Sequence, residues 1–138
     1  MKLQLYGPPE VPGEVWRQAA PLLEKALEPR HGLTLDGLIG EVMRGDVQLW
    51  LLHDDSIAHA AFITSCRVRH SGKAFAVNVA GGELVLDCLE LIDHTFTEYA
   101  KMVGCGWIEV VGRRGWQGAL RTRGFHHAYT AVTREIES

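Results

Sequence analysis

The sequence predicts an α/β protein: a mixed, mostly antiparallel central sheet flanked by about four helices, with one parallel strand pair. Three observations predict it. Segments of β-branched and aromatic residues at strand length alternate with segments whose apolar residues recur at helical steps. One long helical segment separates the strand around Val77 from the strand around Ile108, and a crossover of that length returns the chain to the same end of the sheet, so these two strands are expected to run parallel. The chain has 138 residues, 46% hydrophobic and 22% charged. That is enough for one core and too little for two, so a single domain over 1–138 is expected.

Lys2 to Tyr6 reads as a short strand stopped by Gly7-Pro8-Pro9. From Glu14 to about Glu28, Val15, Ala19, Leu22, Leu23, Ala26 and Leu27 recur at helical spacing; Pro21 inside the run predicts a kink or two pieces meeting near Ala20. Thr34 can cap a second helix carrying Leu35, Leu38, Ile39, Val42 and Met43, with Gly45 as its stop. Val47 to His53 and Ile57 to Arg69 form a hairpin about Asp54-Asp55-Ser56, and Ala74 to Val79 adds the third strand of a meander after the turn His70-Ser71-Gly72-Lys73. Gly81-Gly82 then reads as a turn into a long helix with Val85, Leu89, Ile92, Phe96 and Val103 on one face and Gly104 at its end. Trp107 to Val111 is a strand, Gly115 to Arg123 a short helix stopped by Gly124, and Phe125 to Arg134 a last strand.

Composition excludes several classes of function. The formal net charge of -3 gives no global field for nucleic acid or an acidic membrane surface, and no apolar run approaches the length of a membrane span. Cys66, Cys88 and Cys105 are odd in number and dispersed, without a secretory leader, so a disulfide framework is not expected and the cytoplasm is the simplest location. The seven histidines lack the spacing of a metal site, so no metal is expected.

The candidate site lies in the second half. The amides around Val79-Ala80-Gly81-Gly82-Glu83, between strand end and helix start, can face an anionic group; a tight connection needing positive φ reads equally well. Arg113, Arg114, Arg121 and Arg123 form a local basic cluster able to grip a phosphate, or a solvated face balanced by carboxylates such as Glu109. Trp116 among them can stack on an adenine or anchor the core. Tyr129 on the last strand, with Asn78 and Cys66 on neighbouring strands, completes the candidate residues; a buried tyrosine that hydrogen-bonds locally is the default reading of Tyr129.

The order of these elements resembles the GCN5-related N-acetyltransferase (GNAT) family, best over Val47 to Arg134, and is most similar to small divergent members found among bacteriophage genes. The resemblance rests on Val79-Ala80-Gly81-Gly82, the helix ending near Val103-Gly104, the strand Trp107 to Val111, and Arg121-Thr122-Arg123-Gly124-Phe125. It implies an acetyl-CoA or other acyl-CoA co-substrate in the cleft between the parallel strands. The pantetheine would pair with backbone at Val77 to Val79 and the pyrophosphate would meet Ala80, Gly81 and Gly82, with Arg113, Arg114 and Trp116 nearby. It implies transfer of the acyl group to a small-molecule or peptide amine, with Tyr129 and Asn78 as the candidate catalytic residues. Three positions depart from the family pattern. Glu83 follows the glycines where a Gln or Arg usually precedes a Gly-x-Gly, Arg113 stands at the usual Asn, and Leu120 stands at the Tyr that usually serves as general acid. A second expectation follows from those losses: an inactive scaffold used for assembly, as a homodimer or with a phage protein.

Overall fold

The computed structural model describes residues 1–7, 11–27, 32–111, 117–126 and 134. Its strands are β1 (Lys2–Tyr6), β2 (Gln48–His53), β3 (Ala58–Arg69), β4 (Gly72–Gly82) and β5 (Trp107–Val110), joined side by side in chain order. The helices are α1 (Gly13–Leu27), α2 (Leu35–Arg44), α3 (Leu89–Met102) and α4 (Gln117–Arg121). β1 to β4 pair antiparallel, and β4 and β5 pair parallel through Ala74↔Trp107 to Val77↔Val110, as the crossover argument requires.

The local rules that shape the helices are visible in the bonds. Thr34 Oγ1 accepts the Gly37 amide at 3.1 Å and starts α2. Gly45, at φ 81°, ends it with its own amide turned back on Glu41 and Val42. Pro21 does not divide the first helix, which is continuous from Gly13 to Leu27. The strand expected over Phe125 to Arg134 falls largely outside the described residues; Phe125, His126 and Arg134 are described and lie outside regular structure.

Each face of the sheet carries its own core. Alternation along β2 sends Leu49 and Leu51 towards α1 and α2, where they meet Ala19, Leu23, Leu38, Val42, Ile63 and Val79. It sends Trp50 and Leu52 towards α3, with Phe62, Phe75, Ile92, Phe96 and Ala100. β2 is thus buried on both faces, which is why it reads as an unbroken apolar run. Trp50 donates its indole N–H to Thr64 Oγ1 at 2.9 Å, and Thr64 donates to Gln48 Oε1 at 2.9 Å, so the polar atoms this burial strands are satisfied. No helix among the described residues is long and apolar enough to cross a membrane.

The β2–β3 turn has a carboxylate at its centre. Asp54 Oδ1 accepts the amides of Ser56 and Ile57 at 3.1 and 3.0 Å, and Oδ2 lies 2.8 Å from His59 Nε2. The His59 hydrogen bond, then these amides, hold the Asp54 carboxyl far below the usual carboxylate range. Its folded pKa is therefore below its unfolded value, so the turn's contribution is complete above about pH 4 and is lost as the pH falls further. Asp54→Asn is expected to be less stable than the parent at pH 7 and to converge with it in acid, read from urea midpoints at a series of pH values. A constant offset between the two would count against this role.

Candidate active site

β4 is longer than the β5 strand it pairs with, and the site is built on that mismatch. The β4–β5 ladder ends at Val77↔Val110, with a last bond from the Val111 amide to the Val77 carbonyl at 3.0 Å, while β4 continues to Gly82. Among the described residues, Val79 to Gly82 have no strand on the β5 side. The two strands part at a bulge. Ile63 pairs with Val79 and Thr64 with Val77, so Asn78 is an extra residue in β4. A regular strand would put Val77 and Val79 on one face, yet Val77 packs on the α3 side and Val79 on the α1 side. The bulge rolls the strand over at the point where the cleft opens.

The two faces of the cleft differ in chemistry. On the α3 side a narrow cavity of about 50 Å³ is apolar, lined by Phe62, Val77, Ala80, Val110, Leu120 and Phe125 among others. On the α2 side a cavity of about 380 Å³ is mixed, with Glu41, Asp46, Ser65, Arg67 and Asn78 set among aliphatic side chains such as Leu38, Ile63 and Val111. Asn78 Nδ2 donates to Ser65 Oγ at 2.8 Å and Asn78 Oδ1 accepts from Arg67 at 3.2 Å. These bonds hold the bulge side chain between β3 groups and fix the Arg67 guanidinium beside it.

Gly81 and Gly82 are not in a turn. Both are in β4, paired with Ala61 and Ala60, and the physical demand on them is close contact. A Cβ on Gly81 would lie 2.1 Å from the Leu22 carbonyl oxygen of α1, and one on Gly82 would lie 2.3 Å from the His59 carbonyl oxygen. Gly82 also has φ +120°. The chain turns later, through Glu83 to Cys88, and α3 begins at Leu89 rather than directly after the glycines. The Glu83 amide is used on the His59 carbonyl at 2.8 Å. No side chain caps the α3 N-terminus. Leu84 holds φ 64°, a left-handed conformation that costs a β-carbon residue roughly 1 kcal/mol. Leu84→Gly is expected to leave stability unchanged or raise it by up to about 1 kcal/mol in urea unfolding.

The predicted site residues divide accordingly. Val77, Asn78, Val79, Ala80, Gly81 and Gly82 are brought together along the cleft edge of β4. Cys66 borders the larger, mixed cavity. Arg113, Arg114, Trp116 and Tyr129 lie outside the described residues. Leu120 lines the apolar cavity, as a side chain without a proton to give does best. Among the described residues, the partners of Glu109 are on β3 and β5. It accepts from Arg69 at 2.7 Å and from Trp107 Nε1 at 3.1 Å, and the Arg69 hydrogen bond holds its carboxyl below the ordinary range. Arg123 reaches Asp93 on α3 at 2.7 Å. Sequence reading missed Ser65, Arg67 and Leu84. Only the alternation along β3, which puts Ser65 and Arg67 on one face, carried a signal for any of them.

No family model matches the sequence, and comparison with curated proteins gave no match. Solved structures do match, over essentially the whole chain. A probable acetyltransferase is 15% identical, with a TM-score of 0.73 over 100% of this chain and 99% of the other. Glucosamine-6-phosphate N-acetyltransferase from Arabidopsis thaliana is 11% identical, with a TM-score of 0.67 over 99% of this chain and 100% of the other. An aminoglycoside N-acetyltransferase in complex with CoA is 14% identical, with a TM-score of 0.65 over 99% of this chain and 95% of the other. The chain has the GNAT acetyltransferase fold.

Proposed function

We propose that this GNAT-fold protein binds an acyl-coenzyme A between β4 and β5 and transfers the acyl group to an amine. The observation that carries the reading is the end of the parallel ladder at Val77↔Val110, which leaves the Val79 to Gly82 edge of β4 beside an apolar slot. An extended arm bearing amides pairs with such an edge as an added strand does. The CoA held by the aminoglycoside enzyme supports the same choice of co-substrate.

The residues present suit the pantetheine arm better than the polyphosphate. The uncapped N-terminus of α3 favours an anion, but Glu83, Asp87 and Glu90 already place carboxylates around it. The phosphates would therefore draw on Arg113 and Arg114. The acceptor amine enters from the mixed cavity, where Glu41 is the carboxylate that favours an ammonium group, Asp46 being paired with Arg44 at 3.1 Å and Arg67 standing in the same wall. The amine loses a proton to solvent and attacks the thioester carbonyl, and the thiolate leaves without the usual tyrosine, because Leu120 has no proton to donate. Positioning in the cleft supplies much of the rate. Asn78 keeps the bulge in place, and Tyr129 is the remaining candidate for proton donation.

Thermal unfolding with acetyl-CoA tests the binding step. At a hundred times its dissociation constant the ligand should add about 2.7 kcal/mol, several degrees for a domain of this size. Free-thiol release with a panel of amines then tests transfer. A second reading, an inactive scaffold that docks a protein partner or a second copy, is favoured by Leu120 and by the acidic residues around the α3 N-terminus. No thermal shift at millimolar ligand, together with a stable oligomer by light scattering, would select it.

A further inference from the structure

Two of the three thiols lie side by side. Cys66 is on β3 opposite Phe75, and Cys105 is in the turn between α3 and β5; their sulfurs are 3.8 Å apart although 39 positions separate them in the chain. Both backbones are pinned. The β3–β4 ladder holds Cys66. The Cys105 amide donates to the Ala100 carbonyl at 2.8 Å, the Gly106 amide to the Lys73 carbonyl at 2.8 Å, and Lys73 Nζ to the Val103 carbonyl at 2.9 Å. Cys66 is exposed and Cys105 half-buried, so a small oxidant can reach the pair. A disulfide needs sulfurs about 2.0 Å apart, so the two must approach by roughly 1.8 Å.

We propose that Cys66 and Cys105 form an oxidisable dithiol site that small hydroperoxides convert into an intramolecular disulfide. One thiolate attacks a peroxide oxygen, giving a sulfenic acid and releasing water after protonation; the other then attacks that sulfur and expels a second water. The two cysteines lose two electrons and two protons, and hydrogen peroxide is reduced to two waters. Burial, then the neighbouring Cys105 thiol, push the Cys66 thiol above its ordinary range, against the opposing pull of Lys73. Cys66 therefore rests as a thiol at neutral pH, and its reaction with peroxide quickens as the pH rises. The link joins β3 to the turn entering β5 at the closed end of the splay, near Ala74↔Trp107, and leaves the mouth at Val77 open. It does not depend on the acyl-transfer reading.

The test treats the full chain with hydrogen peroxide at pH 8, blocks remaining thiols with iodoacetamide, and maps the digested peptides by mass spectrometry. The expected result is a Cys66–Cys105 cross-link with Cys88 alkylated, reversed by dithiothreitol and absent in Cys105→Ser. Alkylation of both Cys66 and Cys105 after peroxide, a link through Cys88, or a link between two chains would overturn the proposal. The decisive reading is made on the unmutated protein, so it does not rest on how the variant folds.

Discussion

Phe96→Ala is expected to destabilise the protein by about 4 kcal/mol, a large share of the 5–15 kcal/mol typical of a domain. Phe96 is 3% exposed and is the point at which α3 enters the aromatic core. Its ring lies 5.1 Å from Trp50 and 5.5 Å from Phe62, both edge-on, and 5.4 Å from Phe75. Truncation removes the transfer energy of the ring and leaves a void that β2, β3 and β4 cannot close together, because Trp50 is tied to Thr64 through its indole N–H. Urea unfolding measures the loss. A cost below about 1.5 kcal/mol would mean that α3 is held by something other than this cluster.

Gly81→Ala is the second large effect, and its cause is contact rather than conformation. The new methyl would collide with the Leu22 carbonyl oxygen at 2.1 Å and meet the Ala26 side chain at 3.1 Å, so α1 must move off the sheet. The expected cost is about 3 kcal/mol. Gly13→Ala, with nothing within 4 Å, serves as the control and should be neutral or slightly stabilising. Equal stability of the two variants in urea would contradict the close approach of α1 to β4. The same geometry explains why glycine substitutions here cannot map a ligand site: lost binding would follow from a displaced helix as readily as from a lost contact.

That pair of glycines marks the boundary of what the sequence showed. Local chemistry was legible: Thr34 and Gly45 cap α2, the Asp54 turn joins β2 to β3, and the α3 crossover makes β4 and β5 parallel. Gly81-Gly82 read as a turn because glycine signals backbone freedom; Gly82 does use that freedom at φ +120°, but within β4, whereas Gly81 uses the missing Cβ to admit a helix about sixty residues earlier in the chain. Long-range proximity of that kind has no local signature. The bulge was hidden for a similar reason: Val77 and Val79 flank Asn78 as any regular strand would, and only the pairing with Ile63 and Thr64 shows that they face opposite ways. Leu84 at positive φ gave no signal, since leucine is not a residue that predicts a turn. The site was therefore legible as a region of β4, but not as the geometry that opens it.

The most direct test of the account is amide chemical-shift mapping of the isotope-labelled protein as acetyl-CoA is added. Binding in the splay predicts changes concentrated at Val77 to Gly82, Val110 and Val111, with a second group at Val85 to Leu89 where α3 begins. Saturating changes that leave those amides unmoved, or no change at millimolar ligand, would contradict a co-substrate site between β4 and β5.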